Sequence, residues 1–238
     1  MATGNQLNNI LIANNVGDTL DGGIGSDTLI GGSGDDTFMI DSPTDVVIDK
    51  LGGTDTVISS ISYVLGATIE NLTLTGTNAI NGTGNKLINV ITGNDGDNIL
   101  TAGAGNATII GGLGNDTITG GKGVNTLTGG DGNDSFVFGK GNGLTTITDF
   151  VSGSDHLNIS ATAFKGLTPG ILDKAYFVAN TTGQADIGNI QQHFIYNTDN
   201  GTLYFDADGG GIKSSPVSIE VLGTSSHPTL LANDITIV

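Results

Sequence analysis

Large apolar residues recur along the first part of the chain at intervals of nine residues, and most of them directly follow a Thr. The series starts with Leu20, Leu29 and Phe38 and continues with Val47 and, after one inserted residue, Val57. Polar and apolar residues that alternate over three positions predict a short β-strand whose central side chain points inward. The pattern therefore predicts many brief strands separated by tight turns of similar length.

The segments between these strands follow the pattern G-G-x-G-x-D-x-U-x, where U is a large apolar residue. Two intact copies occupy residues 22–39, and the frame returns at Gly111, Gly120 and Gly129. Glycine tolerates positive φ in a turn, and the short Asp side chain can point back into it. Consecutive turns fall on opposite edges, so each loop stacks on the loop two repeats away. Stacked strands lie about 4.7–4.9 Å apart, a spacing at which one calcium ion can take oxygen ligands from two loops.

Composition supports a cation site. The chain has 40 glycines in 238 residues, 24 acidic residues against 7 basic ones, and a net charge of −17. Only Glu70 and Glu220 are glutamates, and this preference for the shorter carboxylate is typical of turns that hold a metal. The strong negative charge argues against nucleic acid or an anionic membrane as a partner.

On these repeats, the chain resembles the RTX (repeats-in-toxin) calcium-binding region of proteins that bacteria export by type I secretion. Repeats, intact or degenerate, cover residues 13–138, and the stretches 145–160 and 193–211 resemble the cap that follows such repeats. The resemblance implies an all-β fold, in which a parallel β-roll in two blocks is closed by an antiparallel β-rich C-terminal cap. Calcium is the implied cofactor, with several ions bound.

We divide the chain into four segments. Residues 1–58 are the first β-roll block, and residues 59–92, which contain no Asp, are a degenerate, metal-free spacer with turns held by Asn side chains. Residues 93–138 are the second block. Residues 139–238 are the cap, which should carry its own aromatic core. The last six residues, 233–238, are similar to the end of type I secretion signals, although they also fit a last β-strand.

The predicted metal ligands are the sixth-place Asp residues, together with the second- and fourth-place glycines of intact repeats. The set comprises Asp18, Asp27, Asp36, Asp45, Asp55, Asp116, Asp134, Gly23, Gly25, Gly32, Gly34, Gly112, Gly114, Gly130 and Gly132. The frame predicts the stacked pairs Asp18/Asp36, Asp36/Asp55, Asp27/Asp45 and Asp116/Asp134. On the other edge of the second block the sixth places hold Ala107 and Asn125. Because neither carries a charge, we expect no calcium there.

We expect a calcium-dependent module that is secreted or held at the cell surface, with the type I export machinery as a partner. Two alternatives remain. The chain could be the accessory module of a secreted enzyme. It could also end an adhesin, surface-layer or ice-binding protein, in which case the Thr and Asn residues at 71–92 would bind an extracellular surface or polysaccharide.

The sequence offers no catalytic motif, so we expect no enzymatic activity. It lacks cysteine, a G-x-S-x-G motif and a P-loop, and His156, His193 and His227 are far apart in the chain. The N-terminal segment has no basic region, and its apolar run is too short for a signal peptide or a membrane span.

Overall fold

The computed structural model describes residues 1–49, 52–139, 141–164, 167–186, 188–211, 213, 215–224 and 226–238. These residues form β-strands and two short 3-10 turns, Lys174–Tyr176 and Ala232–Asp234. The all-β prediction is confirmed. Within the described ranges, no helix has the length and apolar character needed to cross a bilayer.

The strands are short, mostly two to four residues, as the repeat pattern predicts. In chain order they are β1 Ala2–Thr3, β2 Ile10–Ile12, β3 Thr19–Asp21, β4 Thr28–Ile30, β5 Thr37–Ile40, β6 Val46–Ile48, β7 Thr56–Ser59, β8 Tyr63–Val64, β9 Asn71–Leu74, β10 Gly82–Thr83, β11 Asn89–Thr92, β12 Ile99–Thr101, β13 Ala107–Leu113, β14 Thr117–Thr119, β15 Asn125–Asp131, β16 Ser135–Phe138, β17 Thr145–Ile147, β18 His156–Ile159, β19 Gly170–Ile171, β20 Phe177–Asn180, β21 Phe194–Asn197, β22 Thr202–Phe205, β23 Val217–Leu222 and β24 Ile235–Ile237.

The chain winds as a parallel β-solenoid, in which successive strands alternate between two sides. The long sheet takes the odd-numbered strands β1 to β17 and continues through β23, β22, β21 and β20. The opposite side is divided in two. Strands β2, β4 and β6 form a first short sheet, and the order β8-β10-β12-β14-β16-β18-β24-β19 forms a second. The predicted parallel β-roll is therefore confirmed.

The inward positions form columns of buried apolar side chains. Leu20 stacks on Phe38 and Phe38 on Val57 in the long sheet, while Leu29 stacks on Val47 in the first short sheet. Four of these predicted core residues are at most 1% exposed. Val47 is only partly buried, because its strand is the last of the first short sheet.

The stacking continues beyond residue 138. Strands β17 and β18 each add a rung to a sheet, with Asn125 opposite Thr145 and Ser135 opposite His156. These offsets are 20 and 21 residues instead of the regular 18. A fixed nine-residue frame cannot accommodate such insertions. The repeat pattern therefore ends near residue 138, although the solenoid continues.

The cap is built onto the ends of the two sheets. Strands β21, β22 and β23 pair antiparallel, as predicted, but β23 joins β17 in parallel and β24 joins β18 in parallel. Phe194, Tyr196 and Leu203 belong to the same hydrophobic cluster as the solenoid core. The prediction of a separate aromatic core was wrong, because cap strands that extend the solenoid sheets share the solenoid interior.

Glu220 lies where β23 joins the long sheet, between Thr145 and Leu203. It is completely buried, and neither carboxyl oxygen has a hydrogen-bond partner among the described residues. Desolvation by burial therefore raises the pKa of Glu220 well above its usual value. The folded cap binds the Glu220 proton more tightly than the unfolded chain does.

We expect Glu220→Gln to stabilise the cap at neutral pH. In the wild type, protonation of Glu220 stabilises the folded state fully at pH values below the pKa of Glu220 in the unfolded chain. This stabilisation is lost as the pH rises toward the raised pKa of Glu220 in the folded chain. Gln cannot ionise, so the variant lacks this linkage, which costs the wild type up to about 1.4 kcal/mol for each pH unit between its unfolded and its folded pKa. Thermal unfolding at constant calcium, followed from pH 4 to pH 8, measures the difference. Equal pH dependence in the two proteins would contradict the prediction.

Candidate metal centre

A ladder of hydrogen bonds links the sixth-place residues of stacked loops. The Oδ1 atom of each Asp accepts the main-chain N–H of the sixth-place residue one turn back. The donor and acceptor pairs are Asp18 to Asp36 at 2.8 Å, Asp27 to Asp45 at 3.0 Å, Asp36 to Asp55 at 2.7 Å and Asp116 to Asp134 at 2.8 Å. The pairs expected from the repeat frame are thus neighbours in the structure.

In four of these carboxylates, the second oxygen is buried and has no hydrogen-bond partner in the part of the chain that the structure describes. These are the Oδ2 atoms of Asp27, Asp55, Asp116 and Asp134, each in a residue that is 1% exposed. Burial of a charged oxygen without a partner is unfavourable. Desolvation raises the pKa of Asp55 and of Asp116 to about 6, although a main-chain N–H donated to each carboxylate acts in the opposite direction. A bound cation would supply the missing partner.

The remaining predicted carboxylates use their second oxygen inside their own loops. In Asp18, Asp36 and Asp45 the Oδ2 atom accepts a main-chain N–H from three or four residues earlier, at 3.0, 2.7 and 3.1 Å. These bonds close the turn and leave the carboxylate lone pairs only partly used. Both kinds of Asp therefore place oxygen atoms at the loop edge.

The predicted glycines pack against the backbone of the stacked loop. At each of them, a Cβ atom would overlap main-chain atoms of the residue eighteen positions earlier. The contacts are Gly23 with Asn5, Gly25 with Leu7, Gly32 with Asn14, Gly34 with Val16, Gly112 with Asn94, Gly114 with Gly96, Gly130 with Gly112 and Gly132 with Gly114. Gly130 also has φ +102°, which other residues rarely adopt. Glycine at these places lets two loop backbones approach closely enough to share an ion.

First-place glycines have a different role, which the predicted set omitted. A Cβ at Gly22, Gly111 or Gly129 would overlap the unpartnered Oδ2 of the sixth-place Asp in the same loop. These glycines keep the space beside the carboxylate open. Calcium needs such space because it takes six to eight oxygen ligands.

Amide side chains replace carboxylates on the edge that carries Ala107 and Asn125. Asn125 Oδ1 accepts the Ala107 N–H at 3.0 Å, and its Nδ2 donates to the Gly123 carbonyl at 2.7 Å. In the spacer, Asn89 Nδ2 donates to the Glu70 carbonyl at 3.0 Å. An amide is both acceptor and donor, so it satisfies loop carbonyls without an ion. The absence of calcium from this edge remains a prediction, now with a structural reason.

Two acidic members of the ladder were missed by the sequence pattern. Glu70 Oε2 accepts the Asp55 N–H at 2.8 Å, and Asp155 Oδ1 accepts the Asp134 N–H at 3.0 Å. Their offsets are 15 and 21 residues, so a frame of 18 passes over both. One signal was available, because each stands two positions before an inward-facing leucine, as Asp18 and Asp27 do.

Comparison with protein families agrees with this geometry. The family described as RTX calcium-binding nonapeptide repeat (4 copies) matches residues 3–38, 83–118 and 110–144. The matched ranges contain Asp18, Asp27, Asp36, Asp116 and Asp134. A search of curated proteins finds no match to the chain.

Proposed function

Because the chain is an RTX β-roll protein with calcium-binding repeats, we propose that it folds on binding calcium after export through a type I secretion system. The supporting observation is that the Oδ2 atoms of Asp27, Asp55, Asp116 and Asp134 are buried and have no hydrogen-bond partner among the described residues. Each lies in a loop that stacks on another loop with ligand oxygens of its own. Carboxylate and carbonyl oxygens are the ligands that calcium prefers.

Charge explains why calcium would act as a folding switch. Two carboxylates about 4.8 Å apart repel by roughly 1 kcal/mol in water, and severalfold more where they are partly buried. The cytoplasm contains little free calcium, so this repulsion would keep the stacked loops apart and the chain fit for export. Outside the cell, millimolar calcium fills even sites with a Kd of about 10⁻⁴–10⁻³ M. The binding free energy then becomes folding free energy.

We propose a location outside the cell or at its surface, with the C-terminal residues 233–238 as the export signal. In the folded chain, Ile235 and Ile237 of this segment are buried in β24, which pairs with β18. A signal that is buried after folding can be read only from an unfolded chain. Export before folding therefore fits the calcium switch.

We also propose that the chain has no catalytic activity of its own. His193 Nδ1 lies 2.7 Å from the Asp206 carbonyl, and its ring stacks on Tyr176 and Phe205. His227 Nδ1 lies 3.1 Å from the Leu222 carbonyl. These contacts are ordinary packing roles for histidine within the cap.

Equilibrium dialysis of the full chain tests the calcium function directly. After dialysis against millimolar calcium chloride, we expect several ions per chain, because the Asp ladders occupy both edges of the first block. A matched dialysis against magnesium chloride should leave far fewer bound ions, since magnesium demands a small octahedral site. A chain that retains no calcium would contradict the proposal.

A further inference from the structure

Asp49 stands outside the repeat pattern but lies against the carboxylates of two repeats. One ligand oxygen each of Asp36, Asp49 and Asp55 falls within 4.8 Å of the others. Among the described residues this is the one group of three convergent acidic, histidine or cysteine side chains. Asp36 and Asp55 are each 1% exposed, so the group sits at a buried loop edge.

The sheet register explains how Asp49 reaches this place. Ile48 pairs with Ile30, so Asp49 stacks directly on Gly31, the first-place glycine of an intact repeat. A Cβ on Gly31 would overlap Asp49 Oδ1 and lie 3.2 Å from Asp36 Oδ2. Asp49 thus stands at the first place of its repeat, which is glycine in an intact copy, and its Oδ1 lies in the open space in front of Gly31.

A separate observation points to a ligand for this group. Asp55 Oδ2 is buried and no described residue forms a hydrogen bond with it, while Asp55 Oδ1 already accepts the Asp36 N–H. Asp36, Asp49 and Glu70 all place negative charge around Asp55, and Glu70 accepts the Asp55 N–H at 2.8 Å. Acidic groups therefore surround the unsatisfied Asp55 Oδ2, and a bound cation would supply its missing partner.

We infer that Asp49 is a third carboxylate ligand at a calcium site shared with Asp36 and Asp55, and that this site binds calcium more tightly than the repeat sites. The inference rests on the proposed calcium function and deepens it. Calcium affinity rises with the number of charged ligands and with the rigidity of the site. The repeat pattern supplies one carboxylate from each of two stacked loops, and here the second loop supplies two.

Competition with a chromophoric calcium chelator measures the tightest class of sites in the full chain. We expect Asp49→Asn to weaken that class at least tenfold. Asp49→Gly, which restores the residue of an intact repeat, should do the same while leaving the weaker sites and the total β-structure in saturating calcium unchanged. Asp35→Asn is the matched control. It removes the same charge from the same stacked loops, but Asp35 Oδ1 accepts the Thr54 N–H at 2.7 Å.

The possible results separate the inference from the proposed function. Wild-type chain that binds no calcium would overturn both. Two results would overturn only the role of Asp49. In the first, the tightest class of calcium sites persists in Asp49→Gly; in the second, Asp35→Asn weakens that class equally. If the variants do not fold, a crystal structure of calcium-loaded wild type decides the matter. An ion contacting Asp49 together with Asp36 or Asp55 supports the site, and an ion that lacks the Asp49 contact overturns it.

Discussion

Removal of calcium should unfold most of the chain. In excess chelator we expect a circular dichroism spectrum of mostly disordered chain, and millimolar calcium should restore a β spectrum. A site with a Kd of about 10⁻⁴ M contributes about 1.4 kcal/mol in millimolar calcium, which is about ten times that Kd. Several such sites together match the 5–15 kcal/mol by which folded proteins are usually stable. The solenoid also loses the cation that separates its stacked carboxylates, so repulsion adds to the loss.

Magnesium provides the control for this experiment. At the same concentration it should not restore the β spectrum, because it requires shorter distances and releases its waters reluctantly. The transition in calcium should be steep, since stacked turns share their sites and fold cooperatively. A fully folded spectrum in excess chelator would contradict the switch mechanism but not the assigned fold.

Replacement of Asp116 by Ala should have the second largest effect. Asp116 shares stacked loops with both Asn98 and Asp134, so its loss removes a charged ligand from two neighbouring positions. It also leaves the buried Asn98 N–H without its acceptor. We expect a loss of about 3 kcal/mol or more in saturating calcium, close to the contribution of one or two filled sites. Calcium titrations monitored by thermal unfolding measure the loss.

Asn125→Ala is the matched control at the sixth place of the opposite edge. It removes two hydrogen bonds, one from the Ala107 N–H and one to the Gly123 carbonyl, which together contribute about 1–2 kcal/mol. This loss should be the same at every calcium concentration, whereas the loss in Asp116→Ala should grow with calcium. Crystallographic calcium between the 102–107 and 120–125 loops would show that carbonyls alone suffice, and the charge argument would be wrong.

The irregular turns contain acidic residues whose neighbours the repeat pattern does not predict. Glu70 and Glu220 are the only glutamates in the chain, and the structure places both in the long sheet's column of sixth-place residues, opposite Asp55 and Thr145. Neither follows the repeat frame, because Glu70 comes after a shortened turn and Glu220 after most of the cap. The composition shows that glutamate is rare in this chain, but only the strand pairing shows which residues lie beside each glutamate.

Regular repeats were readable because each nonapeptide encodes its own turn and strand. Glycine conformation, the reach of an Asp side chain and the alternation of one apolar residue act within nine positions, so the sequence alone determined the β-roll, its inward residues and the stacked Asp pairs. Tertiary structure alone decided which residues meet across insertions. It brought Asp49 beside Asp36 and Asp55, carried Asp155 into the ladder and joined the cap to the solenoid core. Those contacts depend on loop lengths and strand pairing over long separations, which no local pattern records.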